Sequence, residues 1–400
     1  MPSLPSVLAA GVLCLGLSSF GCHSSSADPP ADEESPLDAS VHQEPDLGAR
    51  DASQSTGDAG TDLAAPKPPE VIQTGLTEPV TSSAIAVSSS GLAQVVLSTD
   101  TSIIYLGETK SGWVREAVLD KAKTSAPVAI ALRGDLPWVS FPSYDPLRSS
   151  YQVEVAHREA TGWKRETVIS DLLYPSDGGA PLGITPSGSI SLFYTIRVRT
   201  SGSYADYVVR MDSDGSKWGS LGYLQTGRPH ALATDAKGLF AMVYYDQALT
   251  VAPYLGFAHE QGAPWIVARV EATAAAGPGR LAFDSLDGIH LLYCDKDSGE
   301  LRYANSTTDG GGWRINPLEK VGTAFLGIGI ARGDTPTIAY YQPGAADVRF
   351  GRRTLGRWQL ETVDQEGDVG KALSLTMDRS GQAHIVYYDT TKQQMKRLIR

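Results

Sequence analysis

The residues best placed to do chemistry recur at one step of a repeating pattern. Asp246, Asp295 and Asp389 each close an apolar run, in VYYD, LLYCD and VYYD, and Gln342 takes that step in another copy, TIAYYQ. Tyr245, Tyr341 and Tyr388 stand immediately before three of these positions. Arg228 and Lys371 lie in the stretches leading into the preceding apolar run, with Arg280 close behind. Carboxylates, cations and aromatic faces gathered on one rim would form a mixed polar ring able to hold a sugar or a peptide. The same recurrence also serves architecture, since Asp caps turns and Tyr packs between layers. A position shared by repeats is structural before it is functional.

Other candidates resolve more simply. His290 and His384 occupy equivalent places early in two apolar runs, without a second His or carboxylate at ligand spacing, so they read as packing groups rather than metal ligands. His157, His230 and His259 are scattered. Cys294, inside HLLYCD, reads as a buried thiol. Arg133-Gly134-Asp135 and Arg332-Gly333-Asp334 both spell RGD, but they fall at the same repeat position in ALRGDLP and IARGDTP, where turn chemistry explains them. No phosphate-cradling glycine loop, nucleophile elbow or paired-cysteine metal motif is present, and no cofactor or metal is expected.

The elements that must position these residues form a repeat running from Val71 to the end of the chain. Clear copies begin at Gly227 (GRPHALATDAKGLFAMVYYD), Gly277 (GPGRLAFDSLDGIHLLYCD), Gly327 (GIGIARGDTPTIAYYQ) and Val369 (VGKALSLTMDRSGQAHIVYYD). More divergent ones begin near Ser83, Val128 and Leu182. Each has a short apolar strand, a turn with Asp and Gly, a longer apolar strand, a third strand, and in six copies a fourth opening at Trp. Those tryptophans are Trp113, Trp163, Trp218, Trp265, Trp313 and Trp358, spaced by 50, 55, 47, 48 and 45 residues. Four short strands per unit at that period predict an all-β, seven-bladed β-propeller. The seventh copy runs out at Arg400 without a fourth strand, whereas PPEVIQT (68–74) is similar to the fourth-strand sequences RETVI and LETV. An N-terminal strand is therefore expected to complete the last blade and leave no unpaired edge there.

The unit DxSGxxHIxYYD…LxYA…W…ETV resembles a propeller-forming repeat of secreted bacterial proteins, most specifically over 284–304 and 378–389. The resemblance implies the fold and little chemistry. STTDGGGW (306–313) and DSDGSKW (212–218) are similar to the Asp-box turn of sialidase-like propellers, one residue short of its spacing. Such turns are structural in that family, and its arginine triad and Tyr–Glu pair have no assignable counterparts here.

The N-terminus reads as an address. VLAAGVLCLGL (7–17) is too short to span a bilayer and has the length of a signal-peptide core. It is followed by SSFGC ending at Cys22, an arrangement that resembles a bacterial lipoprotein signal. The resemblance implies removal of residues 1–21, acylation of Cys22 and attachment to the outer membrane, with His23 in the place where Asp would signal inner-membrane retention. Between His23 and Glu70 stand eleven acids and two bases and no Phe, Trp or Tyr. That composition predicts a disordered acidic tether over 22–69, carrying the 70–400 propeller away from the membrane.

The 400 residues hold 34 Lys plus Arg against 45 Asp plus Glu, a formal charge of −11 that resides mostly in the tether. With no concentrated basic segment, nucleic acid is not an expected partner. Anchor, tether and propeller, without a catalytic constellation, lead to the expectation of a monomeric, non-catalytic binding or scaffold module for a protein or glycan. An envelope glycosidase or lyase of sialidase-like type, or a multivalent lectin using the repeated tryptophans, is the alternative.

Overall fold

The computed structural model describes residues 67–400 apart from 122, 125–126, 173–178, 201–202, 247–252, 261–264, 273–275, 308–309 and 323–324. The leader over residues 1–21, Cys22 and the tether as far as residue 66 lie outside the described residues. The described residues form strands and turns with no helix. They build seven four-stranded antiparallel sheets in a ring, a seven-bladed β-propeller. Blades one to six span 82–119, 129–172, 182–226, 228–272, 276–320 and 326–364, each in the strand order one-two-three-four. Blade seven takes its first three strands from Val369–Met377, Ala383–Asp389 and Gln394–Ile399, and its fourth from Glu70–Gln73. The N-terminal strand thus closes the ring as its sequence implies, with Glu70 opposite Arg397.

Burial follows strand position. Second strands such as Phe240–Asp246, Ile289–Asp295 and Ala383–Asp389 are buried at every residue, because each is flanked within its sheet and covered on both faces by neighbouring blades. Fourth strands such as Arg357–Asp364 are exposed or half-buried along most of their length, and here only Asp364 at the end is buried. Their tryptophans turn into the seams: Trp163 meets Tyr105, Trp265 meets Phe193, Trp313 meets Phe257 and Trp358 meets Tyr303, edge to face with centroids 5.1–6.0 Å apart. Each partner belongs to the preceding blade, so the repeated tryptophans join blades to one another.

The seams also carry buried ion pairs. Lys396 Nζ lies 2.9 Å from Asp364 and 3.0 Å from Asp389. Arg302 reaches Glu271 (2.5 Å), Glu300 (2.8 Å) and Asp295 (3.0 Å), Arg210 reaches Asp212 and Glu260 (both 2.7 Å), and Arg397 reaches Glu70 and Glu108 (both 2.6 Å). In every case one of the carboxylates comes from an adjoining blade.

On one face, hairpins between first and second strands latch onto one another. In blade seven's hairpin, Asp378 Oδ1 accepts from Ser380 N (2.8 Å) and Gln382 N (2.9 Å), with Gly381 at φ +84° completing the turn. Asp135 accepts from Ser89 N and Oγ of the neighbouring hairpin at 2.7 and 2.6 Å, and Asp334 accepts from Ser285 in the same way at 2.8 and 2.7 Å. Both aspartates of the RGD triplets are therefore inter-blade latches.

Candidate functional site

The opposite face, where fourth strands lead into first strands and second strands lead into third, holds the recurring polar residues. Register places Arg228 opposite Tyr245 and Lys371 opposite Tyr388, each pair within one blade. Asp389 is wholly buried, bound to Lys396 and to the Lys392 amide (2.9 Å). Asp295, 5% exposed, accepts from Ser298 Oγ (2.6 Å) and pairs with Arg302. Asp246, also buried, accepts from Thr226 Oγ1 (2.7 Å). Tyr245 and Tyr388 sit in hydrophobic clusters between blades. Arg228 Nε meets Asp206 Oδ2 at 2.8 Å, and Asp206 also holds Arg197.

The structure brings two of these residues together. Tyr341 Oη donates to Asp368 Oδ1 (2.7 Å) and Lys371 Nζ to Asp368 Oδ2 (2.6 Å), tying blade six to blade seven. Burial, and then the hydrogen bond to Asp368, push the Tyr341 phenol up to about 12. Burial alone would raise the Asp368 carboxyl; its hydrogen bonds from Lys371 and Tyr341 outweigh that and hold it below the ordinary value. This trio is neutralised and points to positioning of hydroxyls rather than to proton transfer at neutral pH.

Arg280 stands apart. It lines a cavity of about 230 Å³ in the centre of the ring, walled by the first strands of blades one to five and blade seven. One register level shows how the wall is made. Ala231, Arg280, Gly327 and Ser374 pair with Val243, Leu292, Ala339 and Val386, each three residues before the end of its second strand. Ala84, Ala129 and Ala180 also line it, beside larger aliphatic residues such as Ile85, Ile130 and Leu281. Gly327 serves a different need: a side chain there would overlap Leu375 of blade seven, which lines the cavity over it.

His230 faces the same cavity one residue nearer the rim than Ala231. Bulges in the first strands of blades four, five and seven re-aim residues at this level, with shifts at Pro229/Ala231, Ala276/Gly279 and Lys371/Ser374. The last includes Ala372 at φ +49°, a left-handed conformation costly for alanine, and directs its carbonyl to Ser83 Oγ at 2.5 Å. Ser83 Oγ also meets Ser374 Oγ at 3.1 Å. Burial, then the positive fields of Lys296, Arg280 and Arg228, lower the His230 imidazole to about 4, so it is neutral at ordinary pH. Burial likewise lowers the Arg280 guanidinium from its usual value.

His290 and His384 are structural. His290 bridges Asp284 (3.2 Å) and Tyr303 Oη (2.6 Å), and His384 contacts Asp378 (3.1 Å). No group of three potential metal ligands occurs among the described residues. The recurring rim residues were found through their repetition; His230, Ser83 and Ser374 were missed because they do not repeat.

No family model matches the chain, and no curated protein matches it. Solved structures similar in fold include the leech intramolecular trans-sialidase at 9% identity, covering 84% of this chain and 70% of that one with a TM-score of 0.46. An α-L-arabinofuranosidase from Fusarium graminearum is 12% identical, covering 84% and 98% with a TM-score of 0.48. An α-L-arabinanase from Penicillium chrysogenum is 10% identical, with the same coverages and TM-score. At such identities the likeness is one of fold. The expectation of a non-catalytic chain, which rested on the lack of a recognisable catalytic motif, is corrected: the similar solved structures named above are glycoside hydrolases.

Proposed function

We propose that this chain is a glycan-acting, glycosidase-like propeller that receives a sugar in its central channel. One observation carries the reading: the ring of first strands surrounds a cavity lined by aliphatic side chains on which Ser83, Ser374, His230 and Arg280 converge. A few polar groups set in an apolar, preformed concavity are what orients a small ligand. The hydrolytic activity belongs to the neighbours named above and is here a proposal. The test is to incubate the full chain with a panel of oligosaccharides and polysaccharides, following new reducing ends and equilibrium binding. At least one glycan is expected to bind saturably and be cleaved, and Ala84→Phe, which fills the cavity, is expected to abolish both while leaving the β-sheet circular dichroism unchanged. No binding and no cleavage across the panel would overturn the reading.

The leader sequence supports an envelope address for this propeller, through a lipid on Cys22. Incorporation of labelled palmitate that disappears in Cys22→Ala is the expected outcome.

A further inference from the structure

We infer that the hairpin-bearing face of blades six and seven docks on an anionic bilayer, with Leu355 set among the lipid headgroups; this goes beyond the glycan reading and needs no lipid on Cys22. In the turn that joins the third and fourth strands of blade six, Thr354 pairs with Arg357 across Leu355 and Gly356. Leu355 is 98% exposed and holds φ +50°, with Gly356 at φ +77°. Two successive positive φ angles make the turn that Asn-Gly fills best. A leucine is unsuited to it on two counts, since its backbone is strained and its side chain is bare to water. The corresponding turns of blades one and two carry Lys110-Ser111 and Ala160-Thr161. An apolar side chain held in that way points to a contact outside the chain.

The surroundings of the tip select the partner. Arg352, Arg353 and Arg357 flank it, Arg332 and Arg379 stand in the first hairpins of blades six and seven, and Arg400 follows blade seven's third strand, all at the same end of their sheets. None of the six has an ion pair among the described residues. Arg115, Arg133, Arg269, Arg280 and Arg314 also lack one, but they are scattered over blades one, two, four and five. Phe350 lies under the Arg352 guanidinium and Tyr303 under that of Arg353, at 5.3 and 5.0 Å, which fixes the two groups without neutralising them. The carboxylates nearby are committed: Asp334 accepts from Ser285 and Asp378 from its own turn, while Glu361 acts on Arg400 through its field. Leu286, 80% exposed on the same face, stands between Asp284 and Asp287 and has no such surround. The chain also enters the propeller here, for the Lys67 carbonyl accepts from Arg400 Nη1 at 3.1 Å. Unpaired guanidinium groups around one bare leucine match an anionic bilayer, whose phosphates take the cations in two-pronged contacts and whose acyl boundary takes the leucine. An acidic protein surface would meet the charges and leave the tip in water. The channel mouth, on the opposite face, then opens away from the membrane.

Sedimentation of the full chain with lipid vesicles tests this, in the Cys22→Ala form so that no acyl chain contributes. Vesicles of phosphatidylcholine alone are compared with vesicles of phosphatidylcholine and phosphatidylglycerol in equal parts. Binding is expected to be about ten-fold or more tighter to the anionic vesicles and to fall as salt rises. Leu355→Asn is expected to weaken it about three-fold or more, and Arg352→Gln combined with Arg357→Gln about ten-fold. Leu147→Asn, at a leucine equally bare on the opposite face, is expected to change nothing. Asn suits the left-handed turn, so Leu355→Asn should melt no lower than the parent chain, which separates lost binding from lost fold. Equal binding to neutral and anionic vesicles, no binding to either, or an equal loss in Leu147→Asn would overturn the inference. Loss in the arginine pair with none in Leu355→Asn would overturn it as well, since a charged patch alone has no use for the leucine. Glycan binding plays no part in this readout, so either reading can fail alone.

Discussion

The blade seams and the central channel treat positive charge in opposite ways. At the seams Lys396, Arg302, Arg210 and Arg397 are each held by carboxylates, one of them always from an adjoining blade, so charge fixes how blades sit together. In the channel Arg280 is left without a counter-ion among the described residues, and its neighbour His230 is kept neutral. The contrast separates charges that tie blades together from one that does not. It also makes the two regions respond to substitution with opposite sign.

The largest effect is expected at a seam. Lys396→Ala leaves Asp364 and Asp389 buried without their cation, and should lower stability by about 3–5 kcal/mol in urea unfolding. A loss below about 1 kcal/mol would erase the distinction drawn for that seam.

Next is the acid response of the channel. The folded state holds His230 near 4, while an unfolded imidazole titrates near 6.5, so the unfolded state takes up the proton first. Above pH 6.5 His230 contributes no pH dependence. Stability is lost as pH falls from 6.5 towards 4, by roughly 2–3 kcal/mol. His230→Gln should remove one proton's worth of slope in that window, read from urea midpoints against pH. The hairpin carboxylate Asp378, held at about 2 against burial by Ser380, Gln382 and His384, acts in a separate window: its contribution is present above pH 4 and is lost as pH falls towards 2.

Arg280→Met sharpens the comparison by sign rather than size. Removing a half-buried guanidinium that has no ion pair among the described residues should leave stability unchanged or raise it by about 1 kcal/mol, the reverse of Lys396→Ala. The smallest effect is expected on the latched face, where Asp334→Asn weakens exposed hydrogen bonds to Ser285 and should cost about 0.5–1 kcal/mol. A larger loss there would mean that the hairpin latches, and not the seams alone, carry ring cohesion.

The propeller was legible because its signals are local and repeated. Tryptophans at 45–55-residue spacing mark seams, Asp and Gly mark hairpins, and PPEVIQT pairs with the missing fourth strand because it is similar to the fourth-strand sequences RETVI and LETV. The rim residues Asp246, Asp295, Asp389, Tyr245 and Tyr388 were equally legible, and they are bound up in turns and inter-blade packing. The channel was not legible, for the converse reason. Its wall is the position where copies disagree, with Ala231, Arg280, Gly327 and Ser374 at one register level. Strand bulges, which shift side chains by one residue, hide that equivalence from any alignment by eye. In the sequence alone Arg280 reads only as a residue near the rim, and His230 as one of several scattered histidines.

The pairing of Glu70–Gln73 with Gln394–Ile399 has a consequence for the living chain. A ribosome delivers the first of these strands long before the second, so the N-terminal strand waits, its edge unpaired, through the synthesis of six complete blades. Only a chain that reaches Gln394–Ile399 can supply the partner that accepts it and place Arg397 against Glu70. A chain released a few residues early would keep nearly all of its sheets and still be unable to seal them, and the open edges would mark it for aggregation or degradation. Circular closure therefore makes the seventh sheet wait on the arrival of Gln394–Ile399, whatever has folded before it.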